Sequence, residues 1–237
     1  LDRTIPHHAR RVLCIAHRGA SAVAPENSAE AIQKAAELGA DLVEVDLRST
    51  ADDAPVIAHD DSLKRVYGVD GLISELSLAE LQARAPVMTF ADLVAQCLAL
   101  QLGIYLDIKT LSVAAAQRLF ATVDAHRFGA FVVFASFRPD VIAEIKAARP
   151  DFETSILYGS THIDPVALAR ATRADYVHPC WESHSDQPHT LMTEAWLDAA
   201  RSTGLGIITW HEERPPVIAG LKRLGVTGIC TDMPNLV

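Results

Sequence analysis

Cysteine is scarce in this sequence, and two other features that mark particular protein classes are missing. The 237 residues include four cysteines, no two of which form a CxxC pair, so we expect neither structural zinc nor a disulfide framework. No apolar run approaches the roughly 20 residues that a membrane-spanning helix needs. Lysine and arginine number 21 against 30 aspartates and glutamates, for a net charge of −9. This acidic balance excludes a broad basic face for nucleic acid.

The amino terminus also lacks a recognisable targeting signal. Its first ten residues, LDRTIPHHAR, are polar and basic without an apolar stretch, which is untypical of a secretory signal peptide. We therefore expect a cytoplasmic protein without stable membrane association. The sequence does not indicate an oligomeric state.

What the chain does contain is a regular alternation of short, Val- and Ile-rich runs with longer amphipathic stretches. Such alternation predicts parallel strands joined by helical crossovers. Eight strands in this length favour a closed (β/α)8 TIM barrel, which typically has about 250 residues. Nothing resembling a linker divides residues 1–237, so we expect one domain. The predicted strands are 12–17, 41–47, 104–109, 131–136, 154–158, 175–178, 206–210 and 228–231, and the predicted helices are 28–38, 90–102, 112–126, 139–149, 165–172, 192–202 and 215–224.

One segment departs from the alternation. Residues 55–59 read as a further strand, yet only the seven residues 48–54 separate it from the second predicted strand. A parallel crossover needs a dozen or more residues, so this spacing predicts an antiparallel hairpin. We therefore expect a small insertion at about 52–88, after the second strand, with a short helix at 78–83.

The start of the first helix carries a capping signal. Asn27 directly precedes the predicted helix, and Glu30 lies three residues after Asn27. This spacing is the pattern of a capping box. This spacing predicts Asn27 as the N-cap.

Acidic side chains collect at the carboxyl ends of the early strands, where barrel enzymes carry their catalytic groups. Glu44 and Asp46 are two residues apart and share one face of a strand, and Asp107 follows on the next strand. Three converging carboxylates repel one another unless they are protonated or bind a cation. Oxygen ligands suit Mg²⁺, Ca²⁺ or Mn²⁺. The alternative is neutralisation by basic neighbours, namely Arg18, Arg48 and Lys109.

Two histidines stand at the same end of the predicted barrel. His17 ends the first strand, and His59 follows the hairpin strand, which would bring it near Asp46. Imidazole titrates near neutrality, and phosphodiester cleavage needs one proton removed and one donated. Arg18 and Lys109 would then hold phosphate oxygens. Trp181, Trp210 and His211 are possible walls of the pocket, although tryptophan is more often simply packed.

Several short motifs in this order resemble the glycerophosphodiester phosphodiesterase family. They are Ala16-His17-Arg18-Gly19, Pro25-Glu26-Asn27, Glu44-Val45-Asp46 and His59-Asp60, followed more loosely by Leu106-Asp107-Ile108-Lys109, Ala135-Ser136-Phe137, Thr209-Trp210 and Thr231-Asp232-Met233-Pro234. The resemblance spans nearly the whole chain and is strongest before residue 60.

The resemblance implies a (β/α)8 barrel that hydrolyses glycerophosphodiesters to an alcohol and glycerol phosphate. It implies a divalent cation held by Glu44, Asp46 and Asp107, with His17 and His59 as the acid and base and with Arg18 and Lys109 on the phosphate. The family usually has Glu at the position of Asp107, so this ligand binds either directly or through a water molecule. The attacking hydroxyl is either water or the substrate's own glycerol hydroxyl.

The preferred substrate is less narrowly indicated. His211-Glu212-Glu213 stands where the family has neutral residues, and the two glutamates would suit a cationic or hydroxyl-rich head group. The same chemistry on a sugar phosphodiester or a lysophospholipid-type substrate is the main alternative. More distant alternatives are a non-catalytic barrel that acts as a binding module and a metal-dependent aldolase or isomerase.

Overall fold

Eight parallel strands close into a barrel. The computed structural model describes residues 11–237, so the targeting prediction, made from residues 1–10, lies outside the described residues. The strands are β1 (Leu13–His17), β2 (Leu42–Ser49), β3 (Pro55–Ile57), β4 (Met88–Thr89), β5 (Gly103–Ile108), β6 (Val132–Ser136), β7 (Glu153–Tyr158), β8 (Tyr176–Pro179), β9 (Gly206–Thr209) and β10 (Gly228–Thr231). Around the ring the order is β1, β2, β5, β6, β7, β8, β9 and β10, and β1 pairs with both β2 and β10. The predicted barrel is confirmed.

Helices cover the outside of the ring, and each of the seven predicted ones is present with ends shifted by at most two residues. They are α1 (Ala29–Glu37), α4 (Phe90–Leu100), α5 (Val113–Ala125), α6 (Pro139–Ala148), α7 (Pro165–Thr172), α8 (Glu194–Ser202) and α9 (Pro215–Leu224), with α2 (Lys64–Tyr67) and α3 (Leu78–Arg84) between β3 and β4. Proline occupies the first turn of α6, α7 and α9, where its missing N–H costs no helical hydrogen bond. In the described part of the chain no helix has the length and apolar character to cross a membrane.

Alternation along the strands separates the core from the site. The inward rows begin with apolar residues such as Leu13, Ile15 and Leu42, which form a packed layer inside the barrel. Because side chains alternate between the two faces of a strand, the same inward rows continue with His17 on β1 and Glu44 on β2. The polar residues therefore stand at one end of the barrel, above its apolar interior.

The insertion, defined here as residues 50–89, leaves the ring after β2. Strand β3 pairs antiparallel with β2, with Leu47 opposite Ile57, which confirms the predicted hairpin. The two-residue strand β4, which the sequence did not predict, adds a third antiparallel strand. Val56 and the side chains around α3 form a small apolar cluster of their own. This cluster anchors the segment that carries His59.

Candidate active site

The three predicted acids meet at the carboxyl end of adjacent strands. In the register of the sheet Asp46 on β2 lies opposite Asp107 on β5. Glu44 lies two residues before Asp46 on the same face of β2, and it is opposite His17 on β1. Carboxylate oxygens of the three acids all lie within 4.8 Å of one another, and each side chain is 1% exposed or less. Strand pairing thus brings together the acids that the spacing predicted.

Burial and mutual repulsion oppose ionisation of this acid group. The pKa of Glu44 is raised well above its usual value by burial and then by the nearby charges of Asp46 and Asp107. Burial also raises the pKa of Asp107. For Asp46 the burial effect is outweighed by the charges of Lys109 and Arg18, so its pKa is lowered. The acids therefore have unequal affinities for a proton.

Two cations lie against the acid group. The ammonium of Lys109 is 3.0 Å from Oδ1 of Asp46 and also pairs with Asp107. The guanidinium of Arg18 is 3.4 Å from Oδ2 of Asp46. With all three acids ionised, the two cations would leave one negative charge uncompensated. Arg48, the third predicted neutraliser, instead donates from Nε to the carbonyl oxygen of His59 at 2.7 Å.

The loop after β1 is shaped around these acids. Arg18 has a positive φ of 54° and donates its amide N–H to Oε2 of Glu44 at 2.9 Å. At the next residue, Gly19, a Cβ atom would lie 2.7 Å from the backbone of Ala31. Only glycine fits at this close approach of the loop to α1.

Asn27 is part of the site, and its assignment as a helix cap was wrong. Its Nδ2 donates to Oδ2 of Asp46 at 2.8 Å, and its Oδ1 accepts from the Asp46 amide at 3.2 Å. Asn27 has a left-handed φ of 56°, whereas an N-cap residue is extended. The N-cap is Ser28, whose hydroxyl accepts from the Ala31 amide.

His17 is held by the last strand of the barrel. Its Nδ1 lies 2.6 Å from Oδ1 of Asp232, which directly follows β10 and also accepts a hydrogen bond from Ser21. On the opposite edge, Nε2 is buried without a hydrogen-bond partner among residues 11–237 and lies 4.0 Å from Glu44. Burial lowers the pKa of His17, partly offset by Asp232. Asp232 is not among the residues predicted for the site from the sequence, although its place at a strand end was a usable signal.

His59 is held by side chains of the insertion. Its Nδ1 is 2.7 Å from Oδ1 of Asp60, and the neighbouring Ala58 amide donates to the backbone oxygen of Asp46. Arg65 on α2 pairs with Asp60 and lowers the pKa of that carboxyl to about 2. The histidine therefore lies beside the acid group, as predicted, with its Nε2 edge turned away from Asp60.

Arg65 connects the insertion to the loop after β1. Its two terminal nitrogens donate to both oxygens of Glu26 at 2.8 and 2.7 Å. Glu26 in turn accepts from Arg18 at 3.1 Å. Asp60 is five residues away and Glu26 is 39 residues away, and the contact with Glu26 could not be predicted from a local pattern.

The predicted wall residues separate into two groups. Trp210 lies at the site, with its ring centroid 5.3 Å from that of His17 and 5.8 Å from the ammonium of Lys109. The His211 ring stacks on His17. Trp181 is 3% exposed and packs between aromatic rings of the apolar core. Trp181 therefore belongs to the core and not to a wall beside His17.

The two glutamates after Trp210 both accept hydrogen bonds from neighbouring groups. Glu212 is buried and accepts three hydrogen bonds from Arg214. Glu213 accepts from the Asp232 amide at 2.8 Å and contacts His211. Arg214 therefore engages Glu212, whereas the Glu213 side chain stays 37% exposed. That the two glutamates suit a cationic or hydroxyl-rich head group stays a prediction.

This arrangement combines groups that bind an anion with groups that move protons. Two cations and a buried acid group meet at the barrel mouth, and two histidines flank them. Each histidine holds a carboxylate through Nδ1, so Nε2 is the ring nitrogen that remains free of that contact.

Comparison with known proteins gives a consistent result. The sequence model of the glycerophosphoryl diester phosphodiesterase family matches residues 17–236. A glycerophosphodiester phosphodiesterase of Caldanaerobacter subterraneus is 25% identical over 240 residues, which cover 95% of this chain and 96% of the relative.

Solved structures share the fold. A putative glycerophosphoryl diester phosphodiesterase from Silicibacter pomeroyi superposes with a TM-score of 0.82 at 23% identity, covering 98% of this chain and 94% of that one. A phosphodiesterase from Oleispira antarctica, solved in complex with the product sn-glycerol-3-phosphate, superposes with a TM-score of 0.79 at 20% identity, covering 97% and 96%.

Proposed function

Because the chain belongs to the glycerophosphoryl diester phosphodiesterase family and is a phosphoric diester hydrolase, we propose that it cleaves glycerophosphodiesters with a divalent cation, His17 and His59. The products are an alcohol and glycerol phosphate. One observation carries the proposal: two histidines, each bonded through Nδ1 to a carboxylate, flank a buried group of three acids. The product complex of the Oleispira antarctica phosphodiesterase supports glycerol phosphate as the product here.

The acid group fits a divalent cation. Oε1 of Glu44 and Oδ1 of Asp107 are buried without a hydrogen-bond partner among the described residues, and such orphaned oxygens are costly unless a ligand satisfies them. Oxygen donors within 4.8 Å of one another match the ligand distances of about 2.0–2.6 Å that Mg²⁺ and Ca²⁺ prefer. Glu44, Asp46 and Asp107 would hold the ion, which when bound would polarise the phosphate and acidify the attacking hydroxyl.

Arg18 and Lys109 would bind the phosphate oxygens. Both cations already lie against Asp46, at the edge of the acid group that the phosphate must approach. Arginine offers a planar fork to two oxygens, whereas lysine acts as a point charge.

The two histidines would divide the proton transfers. One Nε2 takes the proton of the attacking hydroxyl, and the other donates a proton to the leaving alkoxide. This balance is the same whether the hydroxyl belongs to water or to the substrate's glycerol, because a cyclic product is then opened by water.

The test is release of glycerol phosphate from glycerophosphoinositol and glycerophosphocholine. We expect no release from EDTA-treated protein and recovery with Mg²⁺, Ca²⁺ or Mn²⁺, while a Glu44→Gln variant purified in parallel stays inactive. Equal rates with and without metal contradict the cation requirement. Folded protein that releases nothing with any ion contradicts the reaction, and sugar phosphodiesters or lysophospholipids are then the next substrates to test.

A further inference from the structure

The segment after β9 places a third imidazole next to the site. The rings of His211 and His17 are stacked, with centroids 4.8 Å apart and planes at 9°. Nδ1 of His211 lies 3.1 Å from Glu213 and 4.0 Å from Asp232. Nδ1 of His17 also faces Asp232. The Nε2 edges of the two parallel rings are therefore directed to the same side, where His17 approaches Glu44.

A second metal site is not what this geometry favours. Donor atoms of His17, His211 and Asp232 do lie within 4.8 Å of one another. An imidazole, however, binds a metal ion in the plane of its ring, and two parallel stacked rings do not direct their lone pairs to one point. The exposed edge of His211 is better placed to meet the substrate.

We propose that His211 determines specificity by hydrogen bonding through Nε2 to a hydroxyl of the leaving alcohol, so that the preferred substrates are glycerophosphodiesters of polyols. This inference rests on the function proposed above, because it places the phosphodiester between the acid group and His17. Nε2 of His211 makes no hydrogen bond within the described part of the chain, and its side chain is 31% exposed. The atom is both unpaired and accessible.

Imidazole suits a hydroxyl in either protonation state. When His211 is charged, Nε2–H donates a hydrogen bond to the hydroxyl oxygen. When His211 is neutral and its Nδ1–H donates to Glu213, Nε2 accepts a hydrogen bond from the hydroxyl. Glu213 raises the pKa of His211, which favours the donating form. A quaternary ammonium such as choline has no N–H or O–H and gains no hydrogen bond from either form.

Neighbouring groups that would select choline are already engaged. Glu212 is bound by Arg214, and Glu213 accepts from a backbone amide and pairs with the imidazole of His211. Aromatic faces bind quaternary ammonium groups, but the ammonium of Lys109 lies 5.8 Å from the ring centroid of Trp210. A second cation at that ring would be repelled.

Three synthetic substrates separate hydrogen bonding from charge. Glycerol phosphate is attached to inositol, to choline, or to 3,3-dimethylbutanol, which has the shape of choline without its charge. All three release glycerol phosphate, so kcat/KM is measured with one assay. We expect the inositol ester to be cleaved about tenfold faster than the other two, since one or two hydrogen bonds supply about that factor.

Variants of His211 test whether this residue causes the preference for the inositol ester. His211→Leu should lower kcat/KM for the inositol ester by about 3- to 10-fold relative to the other esters, and His211→Gln, which can donate and accept, should restore part of it. His162→Leu, an exposed loop histidine, is the matched control and should leave all three values unchanged.

Two outcomes overturn the inference alone. Either the wild-type protein cleaves the choline or dimethylbutyl ester as well as the inositol ester, or His211→Leu lowers all three by one factor. An equal loss for all three esters would mean that His211 affects activity through its stacking on His17 and not through the leaving alcohol. Cleavage of none of the esters with any of the three ions overturns the proposed function, and this inference with it.

Discussion

The two histidines of the site lie in regions that hold them by different means. His17 stands at the end of a ring strand, 7% exposed, with partners that come from strand ends. His59 stands in the insertion, with a side chain one-third exposed, and its partner Asp60 is held by the ion pairs of Arg65. The ring thus positions groups through backbone pairing, whereas the insertion positions them through charged side chains near solvent.

This difference separates the effects of mutation on stability and on activity. In the ring, Glu44 is buried among like charges that oppose its ionisation, so its neutralisation should cost activity and not stability. In the insertion, partly exposed ion pairs contribute little to folding. Their removal should therefore loosen His59 and leave the folded chain intact.

The largest effect is expected from Glu44→Gln in the ring. Loss of a ligand carboxylate should lower kcat/KM by more than about a thousandfold, because a metal ion supplies several kcal/mol of transition-state stabilisation. The midpoint of thermal unfolding in EDTA should stay equal or rise, because glutamine removes a buried carboxyl group whose ionisation is opposed by burial and by the charges of Asp46 and Asp107. A large fall of that midpoint would contradict the view that the acid group opposes folding.

The stability gain of Glu44→Gln should depend on pH. The folded pKa of Glu44 is raised by burial, so the folded state retains this proton at pH values where the unfolded chain has released it. Wild-type stability without metal should therefore fall, relative to the variant, as pH rises above the unfolded value of about 4.3. Unfolding in urea at pH 4, 6 and 8 measures this, and a difference that does not grow with pH would rule out ionisation of Glu44 as its cause.

Alanine at His17 or at His59 should each lower turnover by about 10²- to 10⁴-fold, the usual range for a general acid or base. The stability changes should differ, since His17→Ala empties a buried position, whereas His59→Ala alters a partly exposed one. Circular dichroism checks folding, and His126→Ala, at the exposed carboxyl end of α5, is the control. Near wild-type turnover in either variant would remove that histidine from the mechanism.

Arg65→Ala tests the insertion with a smaller expected effect. Without the guanidinium, Asp60 and Glu26 lose their shared partner, and we expect kcat to fall about tenfold with less than about 1 kcal/mol of lost stability. Arg65→Lys should restore only part, because an ammonium does not bridge two carboxylates as a bidentate fork does. The matched control is Lys64→Ala on the same helix, which removes an exposed ion pair with Asp70. Equal losses of kcat in Lys64→Ala and Arg65→Ala would show that the ion pairs of Arg65 with Asp60 and Glu26 do not position His59.

The sequence predicted the ring much better than the side-chain contacts between its loops. Strand positions and the shared face of Glu44 and Asp46 follow from a two-residue period, and the hairpin followed from a spacing too short for a crossover. These signals come from residues close together in the sequence, and the pairing that closes the ring is a long-range contact that they leave out. Local spacing was therefore enough to predict the acids of the site.

Contacts between distant loops could not be predicted in the same way. The contact between Glu213 and the Asp232 amide could not be predicted from local spacing, because Asp232 follows another strand. Trp181 read as a possible wall because a strand end gives no sign of whether the next side chain turns inward to the site or outward to the core. Asn27 was assigned as the helix cap on a valid local pattern that tertiary contacts with Asp46 overrode.

The adjacent residues Asn27 and Ser28 allow a comparison between a tertiary contact of the site and a local helix cap, and we expect the smallest effects on activity here. Asn27→Ala leaves the Asp46 amide without its side-chain partner and removes the 2.8 Å donor to Asp46 Oδ2, so we expect a several-fold loss of kcat and about 1–3 kcal/mol of stability. Ser28→Ala removes the cap of α1 and should cost about 1 kcal/mol with kcat unchanged. Urea unfolding and glycerol phosphate release, measured on both variants, separate the two roles. If Ser28→Ala reduced kcat as much as Asn27→Ala, the loop would act as one unit, and the assignment of Asn27 to the acid group would lose its support.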